Sequence, residues 1–403
     1  MPSFDYDLLI VGGGPVGVSL ALALAAQPLR IGIIELSPQQ NNLDSRALAL
    51  AFGSFRIMDG IGYWADIAQE ATPIEHIHIS NRGYFGVTRL DSTQIRLPAL
   101  GYVVKIGSLT QAIYQRLKNF PQIELICPAK IIQIQNKSDY IQAQITLNNE
   151  IHTLSTQLLI AADGVHSVVR QLLQIPVYKT GYDQTAIITN IETEHPHQFT
   201  AFERFTDTGP LALLPLAKDY SNVVWTVKNS QAPYLTAISD KEFLSRLQDQ
   251  FGNRLGKFIH ADQRYAFPLQ LIKTRQLISN RVVFIGNAAH NLHPVAGQGF
   301  NLGLRDVAAL AEVLTHTHRQ NKDLGNQTVL ATYKQWRQWD HRIVTQFTDT
   351  LIHLFSNNYP LWGLSRGLGL ATLDICPLFK KTLMRQAVGL IRRQPKLVQG
   401  LSL

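Results

Sequence analysis

A glycine-rich segment near the start of the chain has the residue types and spacing of a loop that binds a dinucleotide. It consists of Gly12, Gly13, Gly14, Pro15, Val16 and Gly17. In such a loop the first glycine permits a tight turn, the middle one lets the backbone approach a pyrophosphate, and the last lets a helix pack on a strand. The following helix would offer free N–H groups and a positive dipole end to the phosphates. The segment predicts a bound dinucleotide but does not distinguish FAD from NAD.

Two acidic residues lie where they could support this site. Glu35 follows the loop by about 20 residues, the usual position of a carboxylate that accepts hydrogen bonds from an adenosine ribose. Its charge would also disfavour a phosphate on that ribose. Asp163 and Gly164 end a predicted buried strand just before a predicted helix. By themselves, these last two residues are also typical of an ordinary turn.

A second glycine-rich segment occurs in the last third of the chain. It begins at Gly286 and Asn287, continues from His293 to Asp306, and contains Pro294, Gly297, Gln298, Gly299, Phe300 and Asn301. Apolar residues at helical spacing follow, so the segment is predicted to open a helix. A helix start presents N–H groups and a positive dipole end to whatever precedes it. Because a reduced flavin is anionic at its pyrimidine end, such a site would stabilise it.

The predicted elements place both glycine-rich segments directly after buried strands. Tyr6–Val11 is predicted as a strand, Gly17–Ala26 as a helix and Ile31–Glu35 as a second strand, which gives a βαβ unit and therefore a parallel sheet. A strand at Arg281–Ile285 precedes the second segment, and a helix is predicted to start near Asn301. A further helix is predicted at Leu109–Leu117. Other strands are predicted at Ile123–Ile134, Ile141–Leu147, Leu158–Ala162, Thr185–Ile191, Leu211–Leu216 and Val223–Val227.

The composition is that of a compact globular protein, since 45% of the 403 residues are hydrophobic and 16% are charged. The chain exceeds the roughly 250–300 residues of a single hydrophobic core, so two domains are expected. Cys127 and Cys376 are too few and too distant for a disulfide framework or a zinc site, and we expect reduced cytosolic thiols. The uncharged stretch from Leu8 to Ala26 could imitate a membrane span. However, Asp5 and Asp7 precede it and glycines interrupt it, which favours a strand, a turn and a helix.

Three pairs of histidines lack a companion cysteine or acid at ligand spacing, so no metal site is expected. The pairs are His76 with His78, His195 with His197, and His316 with His318.

The C-terminal part, from Leu351 to Leu403, has seven basic residues and one acid, a net charge of +6 out of +8 for the chain. A basic amphipathic helix can lie on an anionic membrane. A helix packed on the protein has the same pattern, so both interpretations stay open. The apolar residues at helical spacing are Phe379, Leu383, Met384, Ala387, Leu390 and Ile391.

Together, the three motifs resemble the class A flavoprotein monooxygenases, of which para-hydroxybenzoate hydroxylase is typical. The segment from His293 to Asp306 resembles the signature of the ubiquinone-biosynthesis hydroxylases, and Asp44-Ser45-Arg46-Ala47-Leu48 resembles their early arginine motif. The resemblance covers nearly the whole chain. It implies an α/β fold: an FAD-binding Rossmann-like domain with an inserted, mainly antiparallel substrate domain and C-terminal helices.

We expect these units at defined positions. Residues 179–268 are richer in Thr, Tyr, Phe and Pro, which favours the antiparallel insertion. The predicted FAD-binding domain is discontinuous and comprises residues 1–75, 101–178 and 269–330. The predicted substrate domain comprises residues 76–100 and 179–268, and the C-terminal helical region residues 331–403.

The resemblance also implies which residues bind FAD. The residues that would hold its ADP half are Gly12, Gly14, Pro15, Val16, Gly17 and Glu35. Arg46 would lie near the pyrophosphate and flavin, Asp163 and Gly164 at a motif linked to both FAD and NAD(P)H, and Gly286 and Asn287 at the ribityl chain and pyrophosphate. The residues that would line the isoalloxazine are Pro294, Gly297, Gln298, Gly299, Phe300 and Asn301.

One position departs from the family pattern. Most class A members have Asp where this chain has Asn287. An amide oxygen can still accept from a ribityl hydroxyl, but the charge is lost. Members that resemble 2-octaprenyl-6-methoxyphenol hydroxylase can carry Asn here, which favours that subgroup.

The resemblance implies an FAD-dependent monooxygenase that hydroxylates the aromatic ring of a polyprenylated phenol in ubiquinone biosynthesis. NAD(P)H would reduce FAD, and O2 would react through a flavin C4a-hydroperoxide. We expect a cytoplasmic protein, peripheral to the inner membrane or docked in a biosynthetic complex, with no nucleic-acid partner. The alternatives are an FAD hydroxylase of another aromatic compound and a flavin-stabilised scaffold. The sequence alone identifies no general base.

Overall fold

The structure is a computed structural model that describes residues 4–38, 46–217, 219–292, 297–355, 360–390 and 393–403. His293, Pro294, Ile391 and the pair Asp44-Ser45, named above, lie outside the described residues.

Twenty strands occur in this described part of the chain, and many of them coincide with runs of apolar or β-branched residues. In chain order they are β1 Tyr6–Val11, β2 Ile31–Ile34, β3 Ala47–Ala51, β4 Thr72–Ile74, β5 His76–Asn81, β6 Val87–Asp91, β7 Gly101–Lys105, β8 Ile123–Ile126, β9 Ala129–Asn136, β10 Ile141–Leu147, β11 Glu150–Ala161, β12 Val177–Thr193, β13 Thr200–Thr206, β14 Gly209–Pro215, β15 Tyr220–Lys228, β16 Phe258–Ala261, β17 Tyr265–Thr274, β18 Ile278–Ser279, β19 Val282–Phe284 and β20 His290–Asn291.

Eleven α-helices accompany the strands in the same described ranges, and short 3-10 turns lie at Ser92–Ile95 and Gly286–Ala288. In chain order the helices are α1 Pro15–Leu24, α2 Phe52–Ile61, α3 Ile106–Leu117, α4 Val168–Leu172, α5 Ala232–Ala237, α6 Asp240–Phe251, α7 Gln298–Arg319, α8 Gln327–Phe355, α9 Pro360–Ile375, α10 Pro377–Ala387 and α11 Lys396–Gln399.

The first sheet brings the three sequence motifs to one edge. Its strand order is β18-β19-β11-β1-β2-β8, with β10 and β9 attached to β11. β1 and β19 both pair with β11 in parallel, and Val11, Ala161 and Phe284 lie side by side at the carboxyl ends of these strands. Each motif begins within two residues of one of these three positions. Ligands of open parallel sheets bind at this carboxyl edge.

The second sheet has the strand order β20-β17-β12-β15-β14-β13-β5-β6, with β16 attached to β12. Its pairs are antiparallel except that β13 pairs with β5 in parallel. One face packs against α5 and α6 through an apolar cluster that includes Trp225, Phe243 and Leu247. The opposite face is turned toward the first sheet and lines a large cavity.

A third, small sheet of order β3-β7-β4 connects the two larger ones. Ile74 and Val103 of this sheet share an apolar cluster with Ala201 of β13. On its other side, the backbone carbonyl of Ala49 in β3 accepts a hydrogen bond from Asn301 of α7. The small sheet therefore fixes the position of the second sheet relative to α7.

The predicted fold class is confirmed, and most predicted elements are found close to their expected positions. The predicted single strand Ile123–Ile134 is wrong in one respect, because two strands, β8 and β9, occur there and break at Cys127-Pro128. Proline cannot donate to a strand ladder, which explains the interruption. The domain boundaries given above stay a prediction.

The amphipathic pattern predicted for the C-terminal helix is only partly correct. In α10 Met384 is buried, and Lys380 is also buried because it pairs with Asp374 at 2.9 Å. Phe379, expected on the apolar face, is exposed. Within the described residues, none of the helices is both long and apolar enough to cross a lipid bilayer.

Candidate functional site

A cavity of about 1700 Å³ lies between the first sheet, the second sheet and the C-terminal helices. Sites for a single small ligand typically measure about 300–1,000 Å³, so this cavity has room for a large cofactor together with a substrate. The predicted site residues that line it are Gly14, Pro15, Val16, Arg46, Gly164, Gly286, Asn287, Gly297, Gln298, Gly299, Phe300 and Asn301.

The first loop divides into residues that face the cavity and residues that shape the turn. Gly12 has a φ of +110°, and a Cβ there would overlap the backbone of Ala162. A Cβ on Gly17 would overlap the carbonyl oxygen of Gly12. By contrast, a Cβ on Gly14 would meet nothing within 4 Å. Gly12 and Gly17 therefore maintain the turn, while Gly14, at the start of α1, leaves backbone open to a ligand.

Glu35 is held by the loop itself. One carboxylate oxygen accepts from the backbone N–H of Gly13 at 2.6 Å and the other from that of Ser37 at 3.0 Å. The hydroxyl of Tyr114 in α3 donates to the carbonyl of Gly13 at 2.7 Å, and burial raises the pKa of Tyr114 to about 12. Sequence reasoning missed Tyr114, which no motif marks. The role of Glu35 at a ribose stays a prediction.

Asp163 caps a helix rather than lining the cavity. Its carboxylate accepts from the backbone N–H of Val169 in α4 at 3.0 Å, while its Oδ1 is buried and has no hydrogen-bond partner among the described residues. Burial raises the pKa of Asp163, although nearby hydrogen bonds oppose this. Arg170, six residues after Gly164, donates to the carbonyl of Ala288 at 2.8 Å. This bond joins the Asp163-Gly164 motif to the second glycine-rich segment.

The turn at Gly286 rests on a buried carboxylate. Asp306 Oδ2 accepts from the backbone N–H of Gly286 at 3.2 Å and from His290 Nε2 at 3.0 Å. Asp306 Oδ1 accepts from Arg337 Nε and from His341 Nε2, each at 2.7 Å. Asp306 thus connects the second glycine-rich segment to α8. Asn287, which follows Gly286, remains exposed to the cavity.

The contacts of this cluster are those of a hydrogen-bond network. His290, Asp306 and His341 place possible ligand atoms within 4.8 Å of one another. However, the carboxylate already accepts four hydrogen bonds, and the guanidinium of Arg337 supplies the positive charge. Burial alone would raise the pKa of Asp306, but His341 and Arg337 hold it well below its usual range. Burial lowers the pKa of His341 to about 4, so its ring is neutral at pH 7.

The start of α7 presents Gly297, Gln298, Gly299 and Phe300 to the cavity. Asn301 differs from them, because its side-chain oxygen accepts from Ala51 N and Ser54 Oγ. Its side-chain nitrogen donates to the carbonyls of Ala49 and Gly297. All four bonds are 2.7–2.8 Å long, so the amide fixes the loop, and the predicted contact of Asn301 with the isoalloxazine remains untested.

Arg46 lies just before β3 and lines the cavity, with its guanidinium carbon 5.0 Å from the centroid of the Phe267 ring. An aromatic face stabilises a cation at this distance and would orient it. Charged residues that sequence reasoning missed also line the cavity. They are Glu203, Arg305, Arg337, Asp340 and Arg393.

The residues present fit FAD. Two helix N-termini, those of α1 and α7, open into one cavity, and the backbone at Gly14 is open there. Such termini offer N–H groups and a positive dipole end to phosphate or to an anionic ring. When bound, FAD would supply the redox chemistry and the activation of oxygen.

Comparisons with known proteins also indicate an FAD-binding protein. The FAD binding domain family matches residues 5–348. Ubiquinone hydroxylase UbiL of Rhodospirillum rubrum is 34% identical over 98% of this chain and 93% of its own. The 3-demethoxyubiquinol 3-hydroxylase of Escherichia coli K12 is 30% identical over 97% of this chain and 100% of its own. The uncharacterized protein slr1300 of Synechocystis is 36% identical over 99% of this chain and 97% of its own.

Solved structures share the fold at lower identity. The p-nitrophenol 4-monooxygenase PnpA of Pseudomonas putida superposes with a TM-score of 0.79 at 19% identity, covering 96% of this chain and 98% of its own. PqsL of Pseudomonas aeruginosa, in complex with 2-aminobenzoylacetate, gives a TM-score of 0.77 at 21% identity over 91% and 99%. The chain therefore belongs to the FAD-binding monooxygenases and, within them, to the ubiquinone hydroxylase family.

Proposed function

We propose that this chain hydroxylates the aromatic ring of a polyprenylated phenol in ubiquinone biosynthesis, with NAD(P)H as the reductant and O2 as the oxygen source. The whole-length similarity to named ubiquinone hydroxylases supports the reaction class. The observation that carries the substrate class is the large volume of the cavity together with its apolar lining. Besides the glycine loops at Gly14 and Gly297, it is lined by Leu370, Leu373 and Leu383 of α9 and α10.

Different residues along this cavity would bind FAD, the aromatic ring and the prenyl chain. The loops at the carboxyl edge of the first sheet would hold FAD, with the flavin against the start of α7. The aromatic ring would lie between the flavin and the second sheet, where apolar side chains exclude water and protect a reactive oxygen species. The prenyl chain would follow the apolar lining toward α9 and α10. Apolar lining residues of the second sheet include Ile77, Ile79, Ile188, Phe205, Leu214 and Val224.

The test is substrate-dependent NAD(P)H oxidation by the FAD-loaded protein. With a short-chain prenyl phenol we expect faster NAD(P)H oxidation and one molecule of hydroxylated product for each NAD(P)H consumed. A non-aromatic prenyl alcohol of equal length is the control and should give no product. If FAD binds but the phenol neither stimulates oxidation nor yields product, the scaffold alternative is favoured over the enzyme.

We further propose that the corner between α9 and α10 contacts the membrane that holds such a substrate. Ile375, Leu378 and Phe379 are exposed by 80%, 75% and 63%. Lys381 and Arg385 are also exposed on α10, and the cavity is lined by Leu383 of the same helix. Exposed apolar side chains beside basic ones suit an anionic lipid surface.

Flotation with anionic vesicles tests this contact. Because Met384 and Val388 are buried, truncating α10 would disturb folding, and point changes are preferable. We expect Leu378→Ser together with Phe379→Ser to reduce vesicle binding severalfold. Ile151→Ser, at an equally exposed position on β11, should leave it unchanged. Equal flotation of all three proteins would contradict the proposal.

A further inference from the structure

One acidic side chain lies in the wall of the cavity opposite the glycine loops. In the second sheet Glu203 of β13 pairs in register with Ile79 of β5 and with Ala212 of β14. The row continues through Val224 of β15 to Ile188 of β12. All five residues line the cavity, and Glu203 is the charged member of the row.

Glu203 has no hydrogen bond or ion pair with any of the residues that the structure describes. Its neighbours along β13, Phe202 and Arg204, point to the opposite face, where Phe202 packs in the α6 cluster. Burial raises the pKa of Glu203 to about 7, and no neighbouring charge contributes to this rise. A carboxyl group with these properties exchanges a proton near neutral pH.

The small third sheet lies between the loop at Gly297 and the strand that carries Glu203. A Cβ on Gly297 would lie 3.1 Å from the Cβ of Ala49 in β3. Ala49 in turn packs in the same apolar cluster as Ala201 of β13. Residues two apart on a strand point the same way and are separated by about 7 Å. Gly297 and Glu203 line the same cavity, so a ring placed against Gly297 would share that cavity with the carboxyl group of Glu203.

The other charged side chains of the described cavity lining are less suited to accept a proton, because they are either paired with arginines or are cations themselves. Asp340 lies 2.5 Å from Arg337 Nη1 and 3.3 Å from Arg305 Nε. Burial alone would raise the pKa of Asp340, but these arginines lower it to about 2, which makes it a poor base. Arg46 and Arg393 are cations, and among the described lining residues there is no histidine or tyrosine.

We propose that Glu203 is the general base that accepts the phenolic proton of the substrate, an inference that rests on the proposed function. The O–H bond of the phenol breaks, its proton moves to a Glu203 carboxylate oxygen, and the electron pair stays on the phenol oxygen. The resulting phenolate pushes electrons to its ortho and para carbons, and one of these carbons forms the new C–O bond while the O–O bond of the oxygen derived from O2 breaks. The ring carbon releases its proton to solvent as aromaticity returns, and Glu203 gives its proton back to the original phenol oxygen. NAD(P)H supplies the two electrons that reduce the second oxygen atom to water.

Glu203→Gln tests the role, because it keeps the size of the side chain and removes the base. We expect the FAD content to stay unchanged while the rate of product formation falls by about 100-fold or more, as is typical when a general base is lost. In the wild-type protein the rate should rise with pH through about 7, the pKa of Glu203, and then level off. This rise should vanish in Glu203→Gln and return, at a lower rate, in Glu203→Asp. The control is Glu150→Gln, an exposed acid on β11, which should behave as the wild type.

The outcomes separate the two proposals. A wild-type protein that binds FAD but forms no hydroxylated phenol overturns the proposed function and the role of Glu203 together. A productive wild type whose Glu203→Gln variant keeps both its rate and its pH profile overturns the role of Glu203 alone. Loss of FAD from Glu203→Gln would also overturn it, because the residue would then be structural.

Discussion

The carboxylate of Asp306 in α7 accepts a hydrogen bond from the backbone N–H of Gly286, with 3.2 Å between the two atoms. One buried acid thereby positions the turn that presents Asn287 to the cavity. The same acid holds Arg337 and His341 of α8. The turn at Gly286 is therefore coupled to α8, which follows it in the sequence and also lines the cavity.

Replacing this acid should weaken both folding and FAD binding. In Asp306→Asn the buried guanidinium of Arg337 loses one of its two carboxylate partners and keeps Asp340, and breaking a buried pair costs up to about 3–5 kcal/mol. We expect a clear fall in the free energy of unfolding, measured by urea titration, and weaker binding of FAD. Asp207→Asn, at an exposed and distant ion pair with Arg82, is the control and should change neither. A variant of Asp306 with wild-type stability would show that the network is dispensable.

The neutral His341 predicts a stability that depends on pH. Its pKa is about 4 in the folded protein, against an ordinary value of 6.5. Above pH 6.5 the ring is neutral in both states, but between pH 6.5 and 4 only the unfolded chain takes up the proton. Stability should therefore fall as pH decreases through this range, by up to about 3 kcal/mol. His341→Gln should flatten the dependence in urea titrations, whereas replacing the exposed His195 by Gln should not.

Replacing either of two glycines of the first loop by alanine should affect different properties of the protein. Gly14 has an ordinary φ of −68° and open space around it, so Gly14→Ala should fold normally. The added methyl would occupy the path of the pyrophosphate, and we expect about tenfold weaker FAD binding, or 1.4 kcal/mol. Gly12→Ala should instead reduce the melting temperature of the FAD-free protein, because φ is +110° and Ala162 is in the way. Equal melting temperatures for the two variants would contradict this division of roles.

The family departure at Asn287 also gives a prediction. Asn287 is exposed to the cavity, so Asn287→Asp introduces a charge without disturbing the core. Hydrogen bonds to an ionised acceptor are roughly twice as strong as neutral ones. If residue 287 accepts from a ribityl hydroxyl, FAD should bind several times more tightly, as measured by quenching of flavin fluorescence. Weaker binding would indicate that residue 287 faces the phosphates instead.

The strand, turn and helix of the candidate dinucleotide site were largely predictable because their determinants are local. A strand, a glycine turn and a helix follow one another in the first motif, and the parallel register of β1, β11 and β19 then brings the three motifs together. The helix α7 begins at Gln298, within three residues of the predicted start, because glycine and proline mark the boundary.

The remaining features depend on contacts between distant parts of the chain. Arg337 and His341 reach Asp306 from 31 and 35 residues away. Glu203 stands beside Arg204, a pattern that is typical of an exposed strand, but β13 lies between β5 and β14 in the second sheet, and Glu203 is on the face that lines the cavity. Nothing in the local sequence distinguishes Glu203 from a surface residue.

The most direct test of the central claim follows oxygen itself. The FAD-loaded protein would be given NAD(P)H and a short-chain prenyl phenol under heavy-isotope O2, and the product would be analysed by mass spectrometry. We expect one heavy oxygen atom in a new ring hydroxyl group, with none when the label is placed in water instead. Label taken from water, or NAD(P)H consumed with release of peroxide and an unchanged phenol, would contradict a ring hydroxylase.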